Sequence, residues 1–300
     1  MFMGMSVRSK FDLRSLLARV LPIGTLKNPP PVVAVLRLSG AIGAFGPIRS
    51  GLTLAGLESN IERAFKLPRL ATVALSINSP GGSPVQSDLI ARRIRDLAAE
   101  KEVPVVAFVE DVAASGGYWL ACAADEIFAR ESSIVGSIGV ISASFGFTGL
   151  MQRVGVERRI HTAGDKKSML DPFSKEDPKD VARLKAIQED IHEDFRSLVR
   201  ARRGARLKGD DKALFSGEFW TGRKAVELGL IDDVGELRQT MRARFGDKVV
   251  LRRVDSAAPW WRRRMGVGGA GPLGLFEPRE WASGALAAVE ERALWSRYGL

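Results

Sequence analysis

Val73-Ala74-Leu75-Ser76-Ile77 runs directly into Asn78-Ser79-Pro80-Gly81-Gly82, and that junction decides the fold. The first five residues form a short apolar run of strand length, closed by a turn cluster. Beyond the turn, from about Val85 to Glu100, the pattern is helical. A second junction of the same kind follows. Pro104–Val109 reads as a strand, and the chain then reaches Ala113-Ala114-Ser115-Gly116-Gly117, where small residues open a helix. Buried strands that end in glycine turns and feed helices build a parallel sheet, because parallel neighbours need a crossover connection.

Working outward, Val32–Leu38 reads as a strand, Leu57–Phe65 as a helix and Ala71–Ile77 as the second strand. Downstream, Glu126–Ala129 and Ile138–Ser144 read as short strands, Gly149–Val154 as a helix and Glu157–Thr162 as a strand. Helical patterns occupy 177–203 and 209–214. Another helix is capped by Thr221 and stopped by Gly229, and Lys248–Val254 reads as the last strand. The expected fold is α/β, with a mainly parallel sheet covered by helices.

Both ends differ from this middle. Residues 1–31 place Leu13, Leu16, Leu17, Val20 and Leu21 among Arg8, Lys10, Arg14 and Arg19, a short basic amphipathic helix closed by Asn28-Pro29-Pro30-Pro31. Residues 255–300 begin with Trp260-Trp261-Arg262-Arg263-Arg264, pass through a glycine-rich linker and end in a helix over Pro278–Tyr298. The expected division is therefore 1–31, 32–254 and 255–300. Nothing approaches the ~18 continuous apolar residues of a spanning helix, and no signal-peptide apolar region precedes a small-residue cleavage site. The expectation is a cytoplasmic protein whose basic tails favour peripheral contact with an anionic inner membrane face.

At 300 residues and 45% hydrophobic, the chain can bury a full core. Its single Cys122 excludes an intramolecular disulfide framework and a cysteine metal cluster, and reads as a buried thiol. His161 and His192 are too few for a metal site built from several histidines, so neither metal nor cofactor is expected. His192 flanks the apolar stripe of its helix; His161, at the end of a strand, is a rival base. The net charge of +10 is dispersed among 35 acids and accompanies no nucleic-acid-binding motif, so no nucleic-acid partner is expected. The clusters Arg200-Ala201-Arg202-Arg203 with Arg206 and Lys208, and Arg262–Arg264, read as solvated faces, with membrane contact as the alternative.

The chemistry gathers at the two junctions. A serine hydroxyl needs a neighbour to take its proton. Gly116 and Gly117 after Ser115 let backbone approach a substrate, and the Gly116 N–H at a helix start can face a developing negative charge. A second donor would come from the Pro80-Gly81-Gly82 turn, at the strand edge where open α/β sheets bind ligands. A candidate base lies in Ala163-Gly164-Asp165-Lys166-Lys167-Ser168.

In order along the chain, Asn78-Ser79-Pro80-Gly81-Gly82, Ala114-Ser115-Gly116-Gly117-Tyr118, Val135-Gly136-Ser137-Ile138-Gly139-Val140, Lys167-Ser168 and Trp220-Thr221-Gly222…Ala225…Leu228-Gly229-Leu230-Ile231-Asp232 resemble the signal peptide peptidase A (protease IV) family of serine–lysine peptidases. The resemblance covers about 32–254. It implies a Clp protease/crotonase-like fold with repeated β-β-α units, Ser115 as nucleophile, Lys167 as general base, Ser137 orienting the lysine, and Gly82 and Gly116 as the oxyanion hole. The family pattern favours Lys167, before Ser168…Asp171-Pro172, over the adjacent Lys166. The resemblance also implies peptide substrates and a homo-oligomeric, dome-like ring, in which the lysine reaches the serine of a neighbouring copy. A base of this kind needs desolvation, which the polar sequence around it leaves to tertiary or inter-subunit packing. The family's usual N-terminal membrane anchor has only the basic amphipathic stretch in its place.

Two other readings stay open on residues alone. A crotonase-like acyl-CoA enzyme would use Glu110 and Asp111 as acid and base. A non-catalytic ring scaffold or membrane partner would leave the serine idle.

Overall fold

The computed structural model describes residues 29–43, 51–254, 289 and 292–300. The expected N-terminal helix, Arg262–Arg264 and most of the expected last helix lie outside these residues. The chain alternates β1 (Val32–Ser39), α1 (Leu54–Phe65), β2 (Leu70–Ser79), α2 (Pro84–Lys101), β3 (Val105–Ala114) and α3 (Gly116–Ala121). It continues through β4 (Glu126–Ala129), β5 (Ile134–Gly136), α4 (Thr148–Val154), α5 (Pro178–Arg203) and α6 (Asp211–Leu214). It closes with β6 (Phe219–Thr221), α7 (Gly222–Glu227), β7 (Asp233–Val234), α8 (Leu237–Phe245) and β8 (Val250–Arg253).

The strands form one sheet in the order β6-β5-β3-β2-β1-β8, with β4 pairing β3 and β7. Every pairing is parallel except β5 with β6. This is the mainly parallel α/β layout the sequence predicts. β3 is the fork: Val106–Val109 pair with β4, while Val112–Ala114 pair with β5. Local sequence sets the helix starts. Ser83 accepts from the Gln86 N–H with Pro84 in the first turn of α2, and Asp177 accepts from the Lys179 N–H ahead of Pro178.

One face of the sheet carries the larger core, where Leu36, Leu75, Ile77 and Ala107 meet Ile61 of α1, Ile94 of α2 and Leu120 of α3. Fully burying such side chains contributes about 1.5–3 kcal/mol each. The other face holds Val33, Val35, Ala74, Val106 and Phe108 against Met241 of α8. Near-continuous apolar runs in β1, β2 and β3 follow from this two-sided cover.

Three sequence expectations need correction. Ile138–Ser144 and Glu157–Thr162 are not strands; the sheet strand of that region is β5, and residues 140–175 form an arm whose only regular element is α4. Apolar, β-prone residues become strands only beside a partner ladder, and here Ile141, Phe145, Val156 and Ile160 face outward instead. Of the arginine cluster, Arg200, Arg206 and Lys208 are exposed as expected, but Arg202 and Arg203 are turned inward. Arg203 is 2% exposed and donates to both Asp232 carboxylate oxygens (2.7 and 3.2 Å) and to the Gly229 carbonyl. Arg202 donates to the Cys122 and Ala124 carbonyls. The cluster ties α5 to the loop between α3 and β4 and to the segment before β7. Burial alone would raise the Asp232 carboxyl, but the Arg203 hydrogen bonds, the Ile127 N–H and the charges of Arg203 and Arg206 outweigh it and hold that carboxyl low.

Candidate active site

The C-terminal ends of β2 and β3 bring the two glycine turns together. Ser115 sits between β3 and α3 at φ 52 and ψ −122, a conformation that costs a non-glycine residue about 1–3 kcal/mol unless its surroundings enforce it. They do. The Ser115 N–H donates to the Gly136 carbonyl (2.8 Å), and the Ser115 carbonyl accepts from the Tyr118 and Trp119 N–H groups at 2.9 and 3.0 Å. Tyr118, fully buried, anchors the helix further by donating from its hydroxyl to the Leu230 carbonyl at 2.6 Å. The result is a strained strand-to-helix elbow with a half-buried serine at its tip.

Glycine is needed at the turns for a steric reason. A Cβ at Gly82, where φ is +143, would lie 2.1 Å from the Ile42 carbonyl oxygen. One at Gly116 would lie 2.4 Å from Ser87 Oγ and 3.4 Å from the Gly82 nitrogen, so the Gly82 and Gly116 backbones are close neighbours. Among the described residues, neither the Gly82 nor the Gly116 amide donates to a turn, loop or side-chain acceptor. Ser115, Gly116 and Gly82 line a narrow cavity walled by Pro84, Trp119, Val140, Ile191 and Phe195, with Trp119 stacked on Phe195 at 4.8 Å.

Ser137 is buried at φ 53, its N–H donating to the Glu218 carbonyl at 2.7 Å. Its hydroxyl accepts from the Tyr298 hydroxyl at 3.3 Å, and the Tyr298 ring meets Phe219 edge-on. Lys167 lies apart, exposed on the arm, where its N–H donates to the Gly164 carbonyl. Lys166 is also exposed and pairs with Asp180 at 3.7 Å. Among the described residues no hydrogen bond or ion pair joins Lys167 to Ser115 or Ser137. His161 is exposed on the same arm. His192 donates from Nε2 to the Ile138 carbonyl at 3.1 Å, the flanking position its helix predicts.

Glu110 and Asp111 are held by other partners. Glu110 faces the opposite side of the sheet and lines a cavity of about 370 Å³ with Ser76, Arg130 and Arg253. Its carboxylate accepts from Ser76 and Arg37. Burial opposes ionisation there, but those two hydrogen bonds and the Arg37 charge hold the carboxyl below its ordinary value. Asp111 accepts from Asn78. Sequence reasoning missed this Asn78–Asp111 contact, the Tyr298–Ser137 contact and the walls Trp119, Ile191 and Phe195. Of these, Asn78 carried a sequence cue in its place in the Asn-Ser-Pro-Gly-Gly turn, and Ile191 and Phe195 carried one in the apolar stripe of their helix. Among the described residues no group of histidine, cysteine and carboxylate side chains is arranged to hold a metal ion.

Residues 98–248 match the model of peptidase family S49. The chain belongs to that family, the family of signal peptide peptidase A. It is 30% identical over 260 residues to "Putative protease slr0021" of Synechocystis, covering 82% of this chain and 92% of that one. It is 31% identical over 163 residues to "Putative signal peptide peptidase SppA" of Enterococcus faecium, covering 54% and 51%. A Brucella abortus protein named "Na(+)/H(+) antiporter NhaA" is 49% identical over 297 residues, 97% of this chain. The chain spans 40% of that protein's length. No helix of the described residues is long and apolar enough to cross a membrane.

Proposed function

We propose that this S49 family member is a serine endopeptidase that hydrolyses peptides or membrane-derived, signal-peptide-like segments through an acyl-enzyme, with a Ser115–Lys167 dyad completed between copies of the chain. Ser115 Oγ attacks the scissile carbonyl while Lys167 Nζ takes its proton. The oxyanion is met by the Gly82 and Gly116 amides, and the leaving amine departs with the proton from the lysine. Water then releases the acyl group. Ser137 orients the lysine amine. Each oxyanion donor contributes about 3 kcal/mol to lowering the barrier.

The observation that carries this reading is the strained Ser115 elbow beside two adjacent amides that, among the described residues, donate to no turn, loop or side-chain acceptor. The inter-copy dyad draws on the arm. Among the described residues, the hydrogen bonds, ion pairs and ring contacts of 144–176 stay within 144–180. Its Phe145, Leu150, Val154 and Val156 are 79, 57, 62 and 57% exposed. An apolar arm with so little cover suits burial against a second copy, and such burial would also supply the desolvation a lysine base needs. The basic tails fit a cytoplasmic enzyme at an anionic membrane face, which flotation with anionic vesicles checks.

Fluorophosphonate labelling and turnover of an apolar fluorogenic peptide test the dyad. Ser115→Ala abolishes both, and Lys167→Ala reduces turnover by at least about 100-fold. Mixing the two inactive variants restores roughly a quarter of wild-type activity if each interface combines a serine and a lysine from different copies. Labelling that survives Ser115→Ala removes the serine from the mechanism; mixing that restores nothing places the dyad within one chain.

A further inference from the structure

Between Ile77 and Ser79, β2 advances two residues, while its partner β3 advances four, from Val109 to Ala113. β3 therefore carries two extra residues in a bulge over Glu110–Val112, immediately before the elbow. Such insertions re-aim the chain and concentrate beside active sites. This one shortens the reach of β3 by two residues, roughly 6–7 Å. It thereby sets Ser115 beside Gly81, where an added Cβ would lie 2.8 Å from the serine's own. With an uninterrupted register Ser115 would lie two residues beyond that turn.

We propose that Asn78 and Asp111 are positioning residues that lock this bulge and so fix Ser115 for attack. Asn78 occupies the gap in the ladder. Its Nδ2 donates to Asp111 Oδ2 at 2.7 Å, and its Oδ1 accepts from the Val112 N–H at 3.2 Å. The amide orientation is dictated by its partners, since a backbone N–H can only donate and a carboxylate can only accept. One side chain thus replaces a missing rung and grips the residue at the crest. Ser133 holds the Glu110 carbonyl from the β5 side, so the bulge is clamped from both neighbouring strands. Because the Asn78–Asp111 bond lies at the surface, breaking it costs little stability. A shift of about 1 Å at the reacting atoms, however, can cost about 100-fold in rate.

The inference rests on Ser115 being the nucleophile, and a reversal experiment separates the two ideas. Asn78→Asp sets two carboxylates against each other. The double variant Asn78→Asp with Asp111→Asn restores the pair with donor and acceptor exchanged, while the carboxylate introduced at position 78 still accepts from the Val112 N–H. In the intact oligomer, Asn78→Asp is expected to lower kcat by about 10-fold or more with KM changed less than about 2-fold, and the double variant to recover to within a few-fold of wild type. Amide exchange at residues 112–118 should rise and recover in parallel, a readout independent of activity. Wild-type kcat in Asn78→Asp, or a double variant as slow as Asn78→Asp at wild-type melting temperature, overturns the proposal. Should Asn78→Asp fail to fold, Asp111→Ala, which removes only the grip, must lower kcat on its own; wild-type kcat there overturns the proposal equally. If Ser115→Ala still labels while exchange follows the reversal, the serine assignment has failed and the bulge lock stands.

Discussion

Asp232→Asn is the sharpest probe of the scaffold. In the wild type the Asp232 carboxylate accepts two bonds from Arg203, one from the Ile127 N–H at 2.7 Å and one from Arg206 at 3.1 Å. Arg206 is about half exposed and its pair contributes little. Arg203 is 2% exposed, so the amide variant leaves a buried guanidinium without its counter-charge. The expected loss at pH 7 is about 3–5 kcal/mol. Because folding holds this carboxyl below its ordinary value, its stabilisation is complete above the unfolded aspartate range. It fades as pH falls through the lowered folded value. The gap between wild type and Asp232→Asn should therefore begin to narrow below about pH 4 and close only below the lowered folded value. Adding Arg203→Met to the variant should recover part of the loss, because the orphaned charge is then gone. Urea unfolding at fixed protein concentration, at pH 7 and pH 3, measures all three. A cost under about 1 kcal/mol at pH 7, or a gap independent of pH, would refute the reasoning.

Tyr118→Phe strands the Leu230 carbonyl in the core and should cost about 1–3 kcal/mol by denaturant titration. Gly82→Ala forces a Cβ to 2.1 Å from the Ile42 carbonyl at a φ of +143; fluorophosphonate labelling should fall to background, and the melting temperature should drop with it. Cys122 is fully buried, and burial pushes its thiol up to about 12. It should resist a soluble thiol reagent in the folded protein and react at once in denaturant.

The two junctions were legible because everything that makes them is local: an apolar run, a glycine turn and the start of a helix. β6 and β7, three and two residues long, were not legible, because strands so short take their identity from the partner that pairs with them. α8 was missed for a related reason. Its buried surface is chiefly Met241, too little to impose a period on a stretch dominated by arginine. The reverse error produced strands at 138–144 and 157–162, where β-prone residues have no ladder to join. Arg203 read as surface because its counter-ion, Asp232, is distant in sequence. At the site, the serine and glycines announced themselves through backbone demands. The bulge lock depends on a mismatch between two strands that no single segment reveals.

The parallel pairing of β1 with β8 joins Val32 to Val250, which has a consequence for biosynthesis. A ribosome adding about 5–20 residues per second needs roughly 10–40 s to travel between those two strands. Throughout that interval one edge of β1 waits without its mate. Gly136 and Ser137, beside the elbow, likewise wait for their partners at Glu218–Trp220 until β6 has been made. The nascent polypeptide therefore completes the surroundings of Ser115 only once that strand has been made.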